Sequence, residues 1–163
     1  MYRKILVAID ASATAERALR EAMALARSSG SQLRLLHVVD AGPSLLNTET
    51  AMAFEDYERA LHDAGARVLA QALAEVKAAG QDAETVLRQI VGGQQHPADE
   101  IVAEAARWSA DLIVVGTHGR RGLRRLLLGS VAEGVARMAD RPVMLVHAAP
   151  LAPPSAQAPA QAG

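Results

Sequence analysis

The chain has 163 residues, a formal net charge of −1 at pH 7 and no cysteine. This length is typical of one domain, and a domain of about 150 residues buries enough surface to need no metal or disulfide. Without cysteine the chain cannot use thiol chemistry. The near-neutral charge and an aromatic content of 2 % argue against nucleic acid as a partner.

The N-terminal segment MYRKILVAID places apolar residues after two basic ones, but Asp10 ends the apolar run. A signal peptide needs a longer apolar core and a cleavage site. A membrane-spanning helix needs about eighteen consecutive apolar residues or more, and the sequence has no such run. We therefore expect a cytoplasmic protein with no membrane contact.

Five short apolar runs predict β-strands, and several are continuous, as in a sheet that is covered on both faces. These runs are residues 4–9, 32–39, 84–91, 111–116 and 142–147. Between them, apolar residues recur with helical spacing and predict four helices. The second helix is expected over 51–79 and the third opens at Pro97. Gly30 and Gly80 are expected to cap the first two helices at their C-termini.

The strict alternation of strands and helices predicts an α/β fold, with one parallel sheet and helices on both faces. In such sheets, ligands bind beyond the carboxyl ends of the strands, where the strand order reverses. Residues 41–50 fall outside the alternation and are expected to form a mobile loop or a lid. Residues 148–163 have the uncharged Ala/Pro/Gln composition of a disordered tail. The folded domain is therefore expected to span residues 1–147.

The segment GTHGRRGLRRLLLGS, residues 116–130, follows the fourth predicted strand. Its glycines allow backbone N–H groups to approach an anion closely, and the helix that starts after it adds unpaired N–H donors. The spacing therefore predicts a phosphate site. The alternative is a plain helix start, because Ser130 and Glu133 have the spacing of a capping box. The phosphate loop GxxxxGK[ST] is absent, as is GxGxxG after the first strand.

Gly116-x-x-Gly119, nine further residues and Gly129-Ser130 resemble the ATP-binding signature of the universal stress protein family. Members of that family either bind ATP or lack the glycine motif. This chain carries the motif intact and so resembles the ATP-binding branch.

The resemblance extends over about residues 1–147. It includes Asp10 at the end of the first strand, the pair VV at 38–39 and the closing PVMLV at 142–146. It implies a Rossmann-like, five-stranded parallel sheet in the order 3-2-1-4-5, of the adenine nucleotide alpha hydrolase type, and usually a homodimer. The family commonly has Asp-Gly-Ser after the first strand, where this chain has Ala11, and its turn before the third helix is lengthened here to GGQQHP.

The resemblance implies a site for ATP with Mg²⁺ and assigns a role to each matching position. Asp10 lies by the ribose and adenine and is the candidate contact to nucleotide-bound Mg²⁺, and the main chain at Val38 borders the adenine. The glycine-loop residues surround the phosphates. The implied nucleotide-binding residues are Ala8, Ile9, Asp10, Val38, Gly116, His118, Gly119, Arg120, Gly129, Ser130 and Val131.

Several of these residues keep a second interpretation. Asp10 at a strand end can simply cap the next helix, and His118 can be an ordinary loop residue. The loop also carries four arginines, which are either solvated charges or bidentate contacts to the triphosphate. They are Arg120, Arg121, Arg124 and Arg125. The four remaining histidines show no metal-ligand spacing. Met23, Met138 and Trp108 are predicted core residues.

These features favour a nucleotide-binding regulatory protein of the stress response, in which the nucleotide state controls dimer packing or the binding of an unknown protein partner. The alternatives are a slow ATPase or binding of another adenine nucleotide. Hydrolysis needs a metal and an oriented water, and no second acidic residue is placed to position that water. The sequence therefore predicts no catalytic residue. A response-regulator receiver would need an aspartate where the third strand ends in IVGG, and a flavin carrier would need aromatic side chains.

The strand at 142–147 is expected at an edge of the sheet and carries no charge from Val143 to Val146. Such an edge presents unpaired N–H and C=O groups and favours pairing. The prolines of the tail cannot donate to a strand ladder. We therefore expect a homodimer formed by this strand with its copy in a second chain.

Overall fold

The computed structural model describes residues 1–41, 51–90, 95–117 and 128–147. Within them, five strands and four helices alternate as predicted. The elements are β1 (Lys4–Ala8), α1 (Ala13–Ser29), β2 (Gln32–Asp40), α2 (Ala51–Ala78), β3 (Ala83–Ile90), α3 (Pro97–Trp108), β4 (Leu112–Gly116), α4 (Ser130–Met138) and β5 (Val143–Val146). Four segments lie outside the described residues: the predicted loop beyond Ala41, the first half of the turn before α3, the segment with the four loop arginines, and the tail.

The strands form one parallel sheet in the order β3-β2-β1-β4-β5, which confirms the expected order. In β1, Ile5 is paired with Leu33 of β2 on one side and with Leu112 of β4 on the other. The chain builds outward from β1 to β3 and then crosses to β4. The strand order therefore reverses at β1, and β5 is an edge strand.

Both faces of the sheet are covered, which explains why the predicted strands are continuous apolar runs. The consecutive residues Ile5, Leu6 and Val7 are all fully buried. Ile5 and Val7 pack with α1 and α2, and Leu6 packs with α3 and α4. Among the described residues, no helix has the length and apolar character that crossing a membrane requires.

The helix ends follow the predicted chemistry. Gly30 and Gly80 have φ values of 68° and 71°, a left-handed conformation that favours glycine, so both predicted caps are confirmed. Pro97 occupies the start of α3, and His96 precedes it as the N-cap. The His96 ring accepts a hydrogen bond at Nδ1 from the N–H of Ala98 at 3.3 Å. The sequence pattern did not indicate this role of His96.

Two of the three predicted core residues are confirmed. Met23 and Trp108 are buried, but Met138 is 38 % exposed. Met138, the last residue of α4, is therefore not the core residue that its helical spacing predicted, because spacing does not show where a helix ends.

A buried carboxylate lies between α3 and the sheet. Glu104 is 1 % exposed and accepts hydrogen bonds from Arg34 at 2.8 Å, from Arg88 at 2.8 Å and from Arg107 at 3.0 Å. The Arg34 guanidinium also lies 4.5 Å from the centre of the Trp108 ring. Helix α3 is thus held by charge pairing as well as by apolar packing.

Candidate functional site

The carboxyl end of β1 leads into a tight turn built around Asp10. One oxygen of Asp10, Oδ1, accepts hydrogen bonds from the Ser12 N–H at 3.0 Å and from the Ser12 hydroxyl at 2.6 Å. Ser12 is also the N-cap of α1, because its Oγ accepts from the N–H of Ala15 at 3.2 Å. The interpretation of Asp10 as the cap of this helix is therefore wrong, since Ser12 fills that role.

Ala11 completes the turn with φ of 61°. Glycine adopts this left-handed conformation freely, whereas in any other residue the conformation lowers stability by about 1–2 kcal/mol. The family's usual glycine at this position therefore has a conformational reason, and this chain keeps the turn with alanine.

Hydrogen bonds from β2 hold the end of β1 in place. The N–H of Ile9 donates to the Leu36 carbonyl at 2.8 Å, and His37 Nδ1 lies 2.5 Å from the Ile9 carbonyl oxygen, to which it donates. Ala8 pairs with Leu36, so Val38, two residues further along β2, lies level with Asp10. The sequence pattern did not indicate this role of His37, because spacing along the chain cannot show that its ring reaches the end of β1.

Gly116 ends β4 directly against the first turn of α1. A Cβ at this position would lie 2.7 Å from Oγ1 of Thr14 and 2.8 Å from its carbonyl carbon. Packing against Thr14 therefore accounts for this glycine, in addition to the role near phosphate that the sequence implied.

Thr117 connects the start of the glycine loop to two other elements. It is fully buried, its N–H donates to the Val146 carbonyl at 2.9 Å, and its carbonyl accepts from the Gly129 N–H at 2.7 Å. The glycine loop therefore begins at Thr117, and the Gly129 N–H at its far end is hydrogen-bonded to Thr117. The base of the loop is joined both to β5 and to the start of α4.

Helix α4 begins without a side-chain cap. Its N-cap is Gly129, whose φ of −66° and ψ of 149° are open to any residue, so backbone freedom does not explain this glycine. Ser130 is the first helical residue, and the first helical hydrogen bond runs from the Glu133 N–H to Gly129 at 2.9 Å. The capping box of Ser130 and Glu133 is therefore wrong. Within the described part of the chain, no hydrogen bond engages the exposed Ser130 hydroxyl.

The N–H groups of Ser130, Val131 and Ala132 precede that first helical hydrogen bond and have no acceptor within the helix. The aligned peptide dipoles add about half a positive charge at this end. Such a helix start binds anions readily. A glycine N-cap adds no side chain that would compete for the N–H groups.

The structure brings most of the predicted site residues to one edge of the sheet. Ala8, Ile9 and Asp10 lie at the end of β1, with Val38 beside them on β2. Gly116 lies against Thr14 in the first turn of α1. The next residue, Thr117, is hydrogen-bonded to Gly129, which is followed by Ser130 and Val131 at the start of α4. His118, Gly119 and Arg120 lie outside the described residues.

Metal-ligating side chains are sparse at this edge. The described residues contain no group of three or more His, Cys, Asp or Glu side chains that could hold a metal ion. Asp10 is the predicted contact to a metal, and any further ligands there would come from a bound molecule, from water or from residues beyond those described.

A parallel α/β sheet with backbone N–H donors at the point of strand reversal defines a Rossmann-like protein, the class in which ligands bind beyond the strand ends. A sequence profile described as the Universal stress protein family matches residues 1–147. The chain belongs to the universal stress protein family.

Individual relatives agree with this assignment. The universal stress protein MJ0577 of Methanocaldococcus jannaschii is 32 % identical over 156 residues, covering 90 % of this chain and 95 % of that protein. Its solved structure is similar with a TM-score of 0.76 at 31 % identity, covering 90 % of this chain and 96 % of that chain. The predicted family and fold are thereby confirmed.

Two further solved structures contain a nucleotide. A universal stress protein in complex with cAMP is 29 % identical with a TM-score of 0.63, covering 91 % of this chain and 99 % of that one. The universal stress protein of Archaeoglobus fulgidus in complex with dAMP is 29 % identical with a TM-score of 0.57, covering 89 % of this chain and 98 % of that one.

Proposed function

We propose that this chain binds an adenine nucleotide, ATP with Mg²⁺, at the edge formed by the ends of β1 and β4 and the start of α4. The observation that carries the proposal is the start of α4. It offers three N–H groups without a helical acceptor, and it has a glycine instead of a capping side chain. The complexes of relatives with cAMP and dAMP support the adenine part of the proposal.

In this proposal the phosphates lie at Gly129, Ser130 and Val131. The N–H groups of Ser130 and Val131 and the Ser130 hydroxyl donate to phosphate oxygens, whereas the Gly129 N–H already donates to the Thr117 carbonyl and Gly129 contributes by having no side chain. Asp10 contacts the sugar, and the main chain at Val38 borders the adenine, with Ala8 and Ile9 forming the adjoining end of β1. His118, Gly119 and Arg120 complete the phosphate site, as the sequence signature implies. Mg²⁺ neutralises phosphate charge and is held chiefly by the nucleotide, with Asp10 as the protein's contact.

The test is calorimetry with ATP on wild-type protein and on Gly129→Val. The backbone of Gly129 has a conformation that valine adopts freely, so the variant is expected to fold. A bulky side chain at the N-cap would block the approach of phosphate, and we expect binding to be lost. Gly30→Ala is the control, because it strains a helix end elsewhere and should leave the affinity unchanged. Wild-type affinity in Gly129→Val would show that the site is wrong.

Chromatography of the nucleotide released from freshly purified, heat-denatured protein tests the identity of the ligand. ATP at close to one per chain is expected. Release of AMP or a cyclic nucleotide would favour the alternative that the family site here holds another adenine nucleotide. Release of a flavin would contradict the proposal.

We further propose that the chain is a homodimer through residues 142–147. β5 is an edge strand, and its residues Val143, Met144 and Leu145 are only partly buried. By contrast, the opposite edge strand β3 carries Glu84 and Arg88, and charged side chains protect an edge from pairing. Pairing of β5 with its copy in a second chain would satisfy both edges.

Light scattering on wild-type, Met144→Lys and Leu145→Pro protein tests the dimer. Both changes are expected to give monomers at micromolar concentration, because one adds charge and the other removes an N–H donor. Thr85→Lys on β3 is the matched control and should remain dimeric. A wild-type monomer, or a dimer unaffected by both changes, would overturn the interface.

The regulatory part of the proposal is that the nucleotide state alters dimer packing or the binding of a protein partner in the cytoplasm. Its support is Thr117, whose backbone bonds to Val146 of β5 and to Gly129 at the start of α4. A ligand bound at the glycine loop would therefore act on the edge strand through the adjacent hydrogen bonds of Thr117. Because coupling is reciprocal, ATP should shift the dimer dissociation constant, and dimerisation should shift ATP affinity by the same factor. Equal dissociation constants with and without ATP would contradict nucleotide control of the dimer.

We propose that bound ATP is held with negligible turnover. Hydrolysis needs a metal and a positioned water, and this proposal assigns no residue to position the water. Working enzymes turn over at roughly 1–10³ per second. Phosphate release by purified protein faster than about one per minute, roughly 60-fold below the lower end of that range, would make the chain an ATPase if it is lost in Asp10→Ala.

A further inference from the structure

The carboxylate of Asp10 is held asymmetrically. Oδ1 accepts from both the hydroxyl and the N–H of Ser12, at 2.6 Å and 3.0 Å, whereas no hydrogen bond within the described residues reaches Oδ2. The left-handed conformation of Ala11 folds Ser12 back toward Asp10. A free aspartate side chain rotates among several positions, and two donors on one oxygen select one of them.

The Ser12 hydroxyl also contacts a side chain of α1. The hydroxyl oxygen lies 3.1 Å from Oγ1 of Thr14. Thr14 is buried and lies so close to Gly116 that no Cβ would fit there. A continuous line of contacts therefore runs from the end of β4 through Thr14 and Ser12 to Asp10.

We infer that Ser12 is a positioning residue for nucleotide binding, which holds Oδ1 of Asp10 so that Oδ2 faces a hydroxyl group of the ligand's sugar. This inference rests on the proposed function. An ionised carboxylate only accepts hydrogen bonds, so its ligand contact must be a donor, and the sugar hydroxyls of a nucleotide are donors. Ser12 does not touch the ligand in this arrangement. It acts through Asp10.

The role of Ser12 as helix cap is separable from this role. Glycine at an N-cap costs only a few tenths of a kcal/mol relative to serine. Ser12→Gly therefore keeps α1 and the backbone N–H but removes the hydroxyl that donates to Asp10. Ser12→Thr keeps both the cap and the hydroxyl, and serves as the conservative rescue.

The measurement is calorimetry with ATP and with 2′,3′-dideoxy-ATP, which lacks both sugar hydroxyls. In wild-type protein, ATP should bind about 10-fold more tightly, as expected for one hydrogen bond to a charged group. In Ser12→Gly this ratio should fall to about 1–3, and Ser12→Thr should restore it to within about twofold, because a misdirected carboxylate no longer gains that hydrogen bond. Urea unfolding of each variant reports the separate effect on stability.

The ratio separates positioning from a purely structural role. Loss of a helix cap alone would weaken both nucleotides equally and leave their ratio at the wild-type value, and that result would overturn the inference. Thr14→Val offers a second variant that keeps Ser12 but removes the contact behind it, and the ratio should fall in the same direction. If wild-type protein bound neither nucleotide, the proposed function itself would be wrong, and the inference with it. Equal wild-type affinity for both nucleotides would leave ATP binding at the start of α4 intact, but it would overturn the inference and with it the contact of Asp10 with the sugar hydroxyls.

Discussion

The two faces of the sheet are built differently. On the face covered by α1 and α2, the buried side chains around Val7 and Leu35 are apolar, and helix glycine Gly65 brings α2 close to the sheet. On the face covered by α3 and α4, an apolar cluster around Leu6 is joined by the buried carboxylate of Glu104, which three arginines surround.

The difference shows two ways of fixing a helix on a sheet. Apolar burial has no direction, so the α1/α2 face constrains mainly volume and shape. Charge pairing is directional, and Glu104 must meet Arg34 of β2 and Arg88 of β3 at once. The charge pairing on the α3/α4 face therefore also fixes the rotation of α3 about its axis and the distance of α3 from the sheet. A buried charge without partners is costly, so this face should be the more sensitive to single changes.

The largest effect is expected for Glu104→Gln. The change keeps the shape but removes the charge that three guanidiniums share, and breaking a buried ionic cluster typically costs about 3–5 kcal/mol. We expect a loss of about 3 kcal/mol in the free energy of unfolding, measured by urea denaturation. Glu100→Gln on the same helix is the matched control and should cost clearly less, since the Glu100 side chain is 18 % exposed. Equal losses of unfolding free energy in the two variants would contradict the expectation that the buried Glu104 stabilises the fold more than the partly exposed Glu100.

The next effect compares one helix glycine on each face. A Cβ on Gly134 of α4 would lie 2.7 Å from the Cβ of Ala98 in α3, and neither atom can turn away. The three atoms nearest to a Cβ on Gly65 all belong to side chains: Leu87 Cδ1 at 2.7 Å, Val39 Cγ2 at 2.9 Å and His37 Cδ2 at 3.0 Å. Gly134→Ala should therefore cost about 1–3 kcal/mol through overpacking. The gain of about 1 kcal/mol in helix propensity is common to both variants. We expect the smaller loss in Gly65→Ala, because the nearest atom there, Leu87 Cδ1, is the end of a flexible side chain.

Thermal and urea unfolding of both alanine variants give the comparison. Equal losses of stability in Gly134→Ala and Gly65→Ala would show that the two faces tolerate an added methyl group equally. A greater loss at Gly65 would reverse the comparison and show that the apolar face is the tighter one.

The smallest effect concerns pH. Burial tends to raise the pKa of Glu104, but hydrogen bonds from Arg88, Arg107 and Arg34 together lower that pKa below the usual 4.5. Because the folded-state pKa lies below the unfolded value, the stabilisation is fully present above about pH 4.5 and is lost as pH falls through the folded-state pKa. The difference in unfolding free energy between wild-type and Glu104→Gln protein should therefore shrink below pH 4.5.

Urea unfolding of both proteins at a series of pH values between 7 and 3 tests this expectation. Hydrogen bonds from the N–H groups of Arg3 and Lys4 also lower the pKa of Asp111, but this group is common to both proteins and cancels in the difference. A difference that stayed constant down to pH 3 would mean that Glu104 ionisation does not stabilise the α3/α4 face.

The local sequence pattern predicted most of the fold and part of the candidate nucleotide site. The five apolar runs lie within about two residues of the observed strands, and Gly30, Gly80 and Pro97 mark helix ends as predicted. These features are readable because strand and helix periodicity, and glycine and proline geometry, act over a few neighbouring residues. The glycine signature likewise located the start of α4, and with it the family.

Only the tertiary structure decided which distant residues meet. Glu104 finds Arg34 and Arg88, which are 70 and 16 residues away along the chain, and Gly116 is a glycine because Thr14 lies against it. Ser12, rather than Asp10, caps α1 and directs the Asp10 carboxylate. Periodicity assigns a residue to a face of its own element, but the pairing of side chains across elements depends on strand order, register and helix placement. Those are properties of the packed sheet, and no local segment of the sequence contains them.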